Sequence, residues 1–161
     1  MEKVLWRAML DSDFNGRYWR AVAQKYSFRD FALKIVLAIT ASGTVAGWSI
    51  WSDLPSVWKT LSAFAAIASI ASPLLAYGKK AEVAASHAGF WAYLRVLYAD
   101  LWDTFRSKGE SESIQKEQNR LKEIFADLEK KEPRLKIPDD KAIAKKCQQE
   151  VLTAKHIDTE K

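Results

Sequence analysis

The chain has 161 residues, 48% of them apolar and 28% charged, with a net charge of +5. That is one domain's worth of chain; no segment repeats at solenoid period, and the single cysteine, Cys147, excludes an internal disulfide and fits a reducing compartment. The basic excess lies in residues 1–106, with 12 basic and 8 acidic groups against 13 and 12 in residues 107–161, which excludes a nucleic-acid-binding tail.

Residues 2–10 predict a short amphipathic helix at a membrane surface, with Val4, Leu5 and Trp6 as apolar contacts. The run Asp11-Ser12-Asp13-Phe14-Asn15-Gly16 then predicts a helix stop and restart, so residues 1–16 form a juxtamembrane helix and a break. The same run copies the opening of a calcium loop, D-x-D-x-N-G. Its twelfth position is Val22 where a bidentate glutamate is required, and calcium is rejected on that ground.

A second helix is expected from Arg17 to Ser52. From Ile35 to Ser52 there are 18 residues without a charge, and from Thr60 to Gly78 another 19. A helix needs about 20 mainly apolar residues to cross a bilayer core. Residues 17–106 therefore read as a two-span transmembrane hairpin, with spans at about 32–52 and 59–78, followed by a cytoplasmic helix. Asp53-Leu54-Pro55 is the expected turn, and Trp48, Trp51 and Trp58 belong in the headgroup zone. Arg20, Lys25, Arg29 and Lys34 precede the first span and Lys79 and Lys80 follow the second, which predicts cytoplasmic termini in a bacterial inner membrane. A buried hairpin within a helical bundle is the alternative. It is disfavoured because a short helical domain rarely buries two neighbouring helices on every face.

The second span is expected to run on through Gly78 to about Arg106. Phe90, Leu94, Leu97, Leu101 and Phe105 then form a coiled-coil-like seam, widened by Trp91, Tyr98 and Trp102, that packs between subunits or against the 17–30 helix. Residues 107–161 hold a polar linker, an amphipathic helix over 114–131, an extended stretch from Pro133 to Pro138, and a last helix over about 140–155 capped by Asp139 or Asp140. No strand pattern occurs, and the fold class is all-α, assembled as a homo-oligomer.

Catalytic, metal and cofactor sites are not expected. There is no Gly-rich phosphate loop, no G-x-S-x-G, no histidine pair at metal spacing and no cysteine cluster, so the chain reads as a non-enzyme. Two small-residue stripes mark helix packing or the lining of a pore: Thr40, Gly43, Thr44 and Gly47 in the first span, and Ser62, Ala66, Ser69, Ser72 and Ala76 in the second. Pro73 offers a kink for a gate, and His87 a vestibule residue or, more plainly, a packed one. Lys130, Lys131, Arg134, Lys136, Lys145 and Lys146 are candidate contacts for an anionic ligand, or a solvated surface.

The order of these features resembles the SLATT domain. An Arg-rich lead-in (NGRYWRAVAQKYSFRDF) precedes two spans with a small turn. An Ala/His-containing helix (AEVAASHAGFWAYLRVLYADLWDTF) and the ending RLKEIFADLEKKEPRLKIPDDKAIAKKCQQEV follow, so the likeness covers roughly residues 15–152. The resemblance implies a two-transmembrane effector of bacterial nucleotide-signalling antiphage defence. Such an effector would oligomerise into a pore or channel, disrupt the membrane, and arrest or kill the infected cell. It also implies control by a nucleotide or oligonucleotide from a partner nucleotidyltransferase. The competing function is a non-conducting membrane anchor or scaffold that docks a cytoplasmic partner; a helical interaction protein outside the membrane is a third.

Overall fold

The structure is a computed structural model; it describes residues 1–50, 55–130 and 137–154, and for 41–50, 55, 57, 58 and 61 the helical backbone alone. Its elements are helical: α1 Glu2–Ile50, α2 Pro55–Leu75, α3 Tyr77–Lys108, α4 Glu112–Lys130 and α5 Lys141–Ala154. The all-α expectation holds. The chain divides into two compact units, the first made of Met1–Ala23 with Glu82–Lys161 and the second of Gln24–Ala81.

In the first unit, α1 buries Leu5, Met9, Ser12, Trp19 and Ala23, and Gly16 completes the row. The steps are four, three, four, three and four, the spacing that keeps one stripe facing a partner helix. That partner is α3, running the opposite way: Trp6 meets Trp102 at a ring separation of 5.5 Å, and Trp19 meets His87 at 5.3 Å. The expected break at 11–16 is therefore corrected: α1 is continuous through it. Gly16 lies where α1 approaches α3, and a β-carbon there would sit 3.5 Å from the Ala92 amide nitrogen. Ser12 turns its hydroxyl back onto the Ala8 carbonyl at 2.7 Å, so its polarity is satisfied inside the helix.

The buried face of α3 is Ala84, His87, Ala88, Trp91, Leu94, Tyr98 and Leu101. It shares Leu94 and Leu101 with the expected seam, but Trp91 and Tyr98 lie at its centre. Leu97 and Phe105 are half-buried, whereas Phe90, Tyr93 and Val96 face outward. α4 lies antiparallel along α3, with Phe125 edge-on to Trp91 at 5.1 Å, and it buries Ile114, Gln118, Leu121 and Leu128. α5 docks on α1 and buries Cys147 and Val151; Tyr18 Oη accepts from the Asp140 amide at 3.2 Å.

Local chemistry sets the ends of these helices. Gly109, at a φ of +75°, donates to the Phe105 carbonyl and stops α3 in the left-handed conformation that glycine adopts without penalty. Ser111 Oγ accepts from the Ile114 amide and starts α4. Asp140 is the cap of α5, its Oδ1 accepting from the Ala142 and Ile143 amides at 3.1 Å each.

In the second unit α2 does not run on into α3 as expected. Pro73 removes one backbone donor, and Ala76 takes a φ of +47°, which separates the two helices. Tyr26 on α1 and Tyr77 on α3 pack at 5.9 Å, and Lys80 Nζ lies 5.8 and 5.9 Å from their ring centres.

Among the described residues no helix is long and apolar enough to cross a membrane. The expected placement, multi-pass in a bacterial inner membrane with both termini cytoplasmic, is overturned by that finding. The described side chains of α1 beyond Lys34 are only Ile35–Thr40. In α2, Lys59 stands near the start, the side chains at 55, 57, 58 and 61 are not described, and Ser62, Ser69, Ser72 and Pro73 dilute what remains. The expected turn at Asp53-Leu54-Pro55 and the Trp48, Trp51 and Trp58 belt lie outside the described residues or side chains.

Candidate functional site

Two features stand apart from ordinary core and surface, one in each unit. In the first unit the buried face of α1 carries a carboxylate, Asp13, with its side chain 8% exposed. Arg17, one turn on, grips it with Nε at 3.1 Å and a terminal nitrogen at 3.4 Å. That hydrogen bond, ahead of all other influences, raises the guanidinium pKa above its ordinary value despite the cost of burial. Arg95 on α3 brings Nε to 3.9 Å from the same carboxylate oxygen, too far for a hydrogen bond but close enough for attraction. Glu150 on α5 lies 3.7 Å from the other face of Arg17. Asp13, Arg17, Arg95 and Arg20 border a cleft of about 180 Å3 that Ser12, Gly16 and Ala92 also line.

His87 and Trp91 lie one turn apart in the same unit. Burial of His87 beside Trp19 lowers its pKa, partly offset by the ring N–H donated from Nδ1 to the Leu128 carbonyl. Its Nε2 and the Trp91 indole nitrogen have no hydrogen-bond partner among the described residues. Burial alone pushes the Tyr98 phenol up to about 12, and burial, followed by Glu150, raises the Cys147 thiol. A buried thiol with a raised pKa is a packing residue, because the reactive form is the thiolate.

In the second unit, large apolar side chains point outward in two stripes. On α1 these are Phe28, Phe31, Ile35 and Ile39, with Val36 beside them; on α2 they are Phe64, Ile67, Ile70 and Leu74. Phe28 is 72% exposed and Leu74 80%, values far from those of core residues. A cationic and aromatic cluster lies in the same unit. Arg29 sits 5.6 Å over the Tyr26 ring, Lys80 lies against Tyr26 and Tyr77, and Lys34 pairs with Asp30.

Thr40 is buried, its hydroxyl donating to the Val36 and Leu37 carbonyls at 2.9 Å; Gly43, Thr44 and Gly47 lie outside the described side chains. On α2, Ser62 and Ser72 are half-buried and Ala66 and Ser69 exposed, on a face other than the large apolar stripe. Pro73 is exposed, and His87 is in the core of the first unit. Lys130, Lys145 and Lys146 point to solvent, and Lys131, Arg134 and Lys136 lie outside the described residues. The cluster at Asp13, Arg17, Arg20 and Arg95 was not expected. Its signal, an aspartate followed by arginines one and two turns later, is legible, but Arg95 joins it only through the α1–α3 pairing. Among the described residues no group of histidines, cysteines and carboxylates is arranged to hold a metal. Compared with protein-family models, curated proteins and solved structures, the chain matches none.

Proposed function

We propose that the protein is a non-enzymatic, self-associating effector that acts on a lipid bilayer, with the second unit as its lipid-active part and the first as the regulatory body. The observation that carries this reading is the pair of outward apolar stripes. Phe28, Phe31 and Ile39 on α1, with Phe64, Ile67 and Leu74 on α2, lie in water in the isolated chain. Each gains roughly 1.5–3 kcal/mol when fully buried, and contiguous exposed apolar surface marks an interaction site. Tyr77, Arg29 and Lys80, resting on buried Tyr26, supply the amphipathic ring and cations that suit an anionic headgroup zone.

Several copies acting together would disturb the bilayer more than one, and the small-residue face of α2 offers close helix contact between them. The SLATT-like order of elements supports placing this activity in antiphage defence, with growth arrest as its outcome. It also supports control by a nucleotide or oligonucleotide from a partner nucleotidyltransferase. Release of dye from anionic vesicles tests the reading: the intact chain is expected to cause leakage, and Phe31→Ser with Ile67→Ser to abolish it. Equal leakage from the double variant would remove the stripes from the mechanism. The scaffold reading rests on the outward Phe90, Tyr93 and Val96 of α3. It is favoured if the chain binds vesicles and self-associates without leakage.

A further inference from the structure

The surplus positive charge around Asp13 calls for a counter-ion. Among the described residues, Asp13 pairs with Arg17 and Arg95 and Glu150 with Arg17, while Glu150 is shared with Lys146 at 3.9 Å. Arg17 is already committed to Asp13 through two contacts. Arg95 is only loosely attached, and Arg20 is exposed, with no carboxylate partner among the described residues. Two guanidinium groups thus border the cleft with most of their donors unused, and a third is held rigid by the carboxylate beneath it. Guanidinium forks match the paired oxygens of phosphate, and fixing them in advance lowers the entropic cost of binding.

The cleft has room for such a group. Its volume of about 180 Å3 is several times the roughly 30 Å3 share of one water. Ser12, Gly16 and Ala92 line it beside the charged groups, and the small side chains leave the arginines room to converge. Nothing about the cluster demands three arginines for folding, since Asp13 needs one partner and has it in Arg17.

We propose that the cleft bordered by Arg17, Arg20 and Arg95 binds a phosphate-type oxyanion. Arg20 and Arg95 supply the contacts, and Asp13 acts as a positioning residue that holds Arg17. The site is separate from the Lys130–Lys146 cluster and does not depend on what the second unit does.

Calorimetric titration of the full chain in neutral detergent with inorganic pyrophosphate, at constant ionic strength, tests this. One saturable site per chain is expected, weakened about tenfold or more by Arg20→Ala or by Arg95→Ala, the usual effect of losing a hydrogen bond to a charged group. Both arginines lie at the rim, so melting temperatures should stay close to that of the parent and loss of binding can be separated from loss of fold. A second arm uses vesicles containing phosphatidic acid. Arginine-dependent capture there without pyrophosphate binding assigns the oxyanion to a lipid headgroup, and the reverse assigns it to a soluble phosphate compound. Absence of saturable binding in both arms, or binding indifferent to both substitutions, overturns the proposal.

Discussion

The two units use the same chemistry to opposite ends. In the first, aromatic and aliphatic residues at four- and three-residue steps face inward, and Trp91, Leu94 and Tyr98 are almost wholly buried. In the second, residues of the same kind at the same kind of spacing face outward along α1 and α2. Spacing therefore says that a stripe exists, not which medium covers it. The difference lies in the partners: α3 and α5 pack on the first 23 residues of α1 and α4 packs on α3, whereas the apolar stripes of the second unit have no such cover within that unit.

The largest expected effect breaks the inward half. Trp91→Ala removes a side chain that packs on Phe125 and is 0% exposed, and should cost about 3–5 kcal/mol, read as the loss of cooperative thermal unfolding in the first unit. Substituting Ile67, 64% exposed, by serine should leave that transition nearly unmoved. Next in size is the boundary between α2 and α3. Ala76 holds a left-handed φ of +47° that costs a non-glycine residue roughly 1–2 kcal/mol. Ala76→Gly is expected to raise stability by up to about 1 kcal/mol; a lower melting temperature would show that the strain is not carried there.

The smallest effect is the pH response of the inward half. The folded state holds His87 below its ordinary pKa of 6.5, so the unfolded chain takes up the proton more readily. Stability is then present above about pH 6.5 and falls as the pH drops through the folded-state value. His87→Gln should flatten that dependence in melts run between about pH 7 and 5. An unchanged slope would assign the response to other groups.

Much of the helical framework was legible in the sequence. The all-α class, α4, α5 and the Asp140 cap follow from periodicity and local chemistry, which operate within a few residues. Long-range pairing was not legible. Asp11, Asp13, Asn15 and Gly16 carry the signals of a helix end, yet α3 passes close enough for Gly16 to serve as a contact point instead. The expected face of α3 was centred on Phe90 and Leu97 with Trp91 and Tyr98 at its margin, and the structure reverses that order because Trp91 packs on Phe125 of α4. Charge-free length suggested two membrane spans. Lys59, the serines and Pro73 lower the apolar content of α2, and the side chains of 41–50, 55, 57, 58 and 61 are not described, so no described helix meets the requirement.

The central claim is that lipid covers the outward stripes of the second unit and leaves the first unit in water. An environment-sensitive fluorophore on Ile67→Cys, with buried Cys147 unreactive, should shift to the blue when anionic vesicles are added, whereas the same probe on Glu123→Cys of α4 should not. Equal responses at the two positions, or none at Ile67→Cys, would contradict the account.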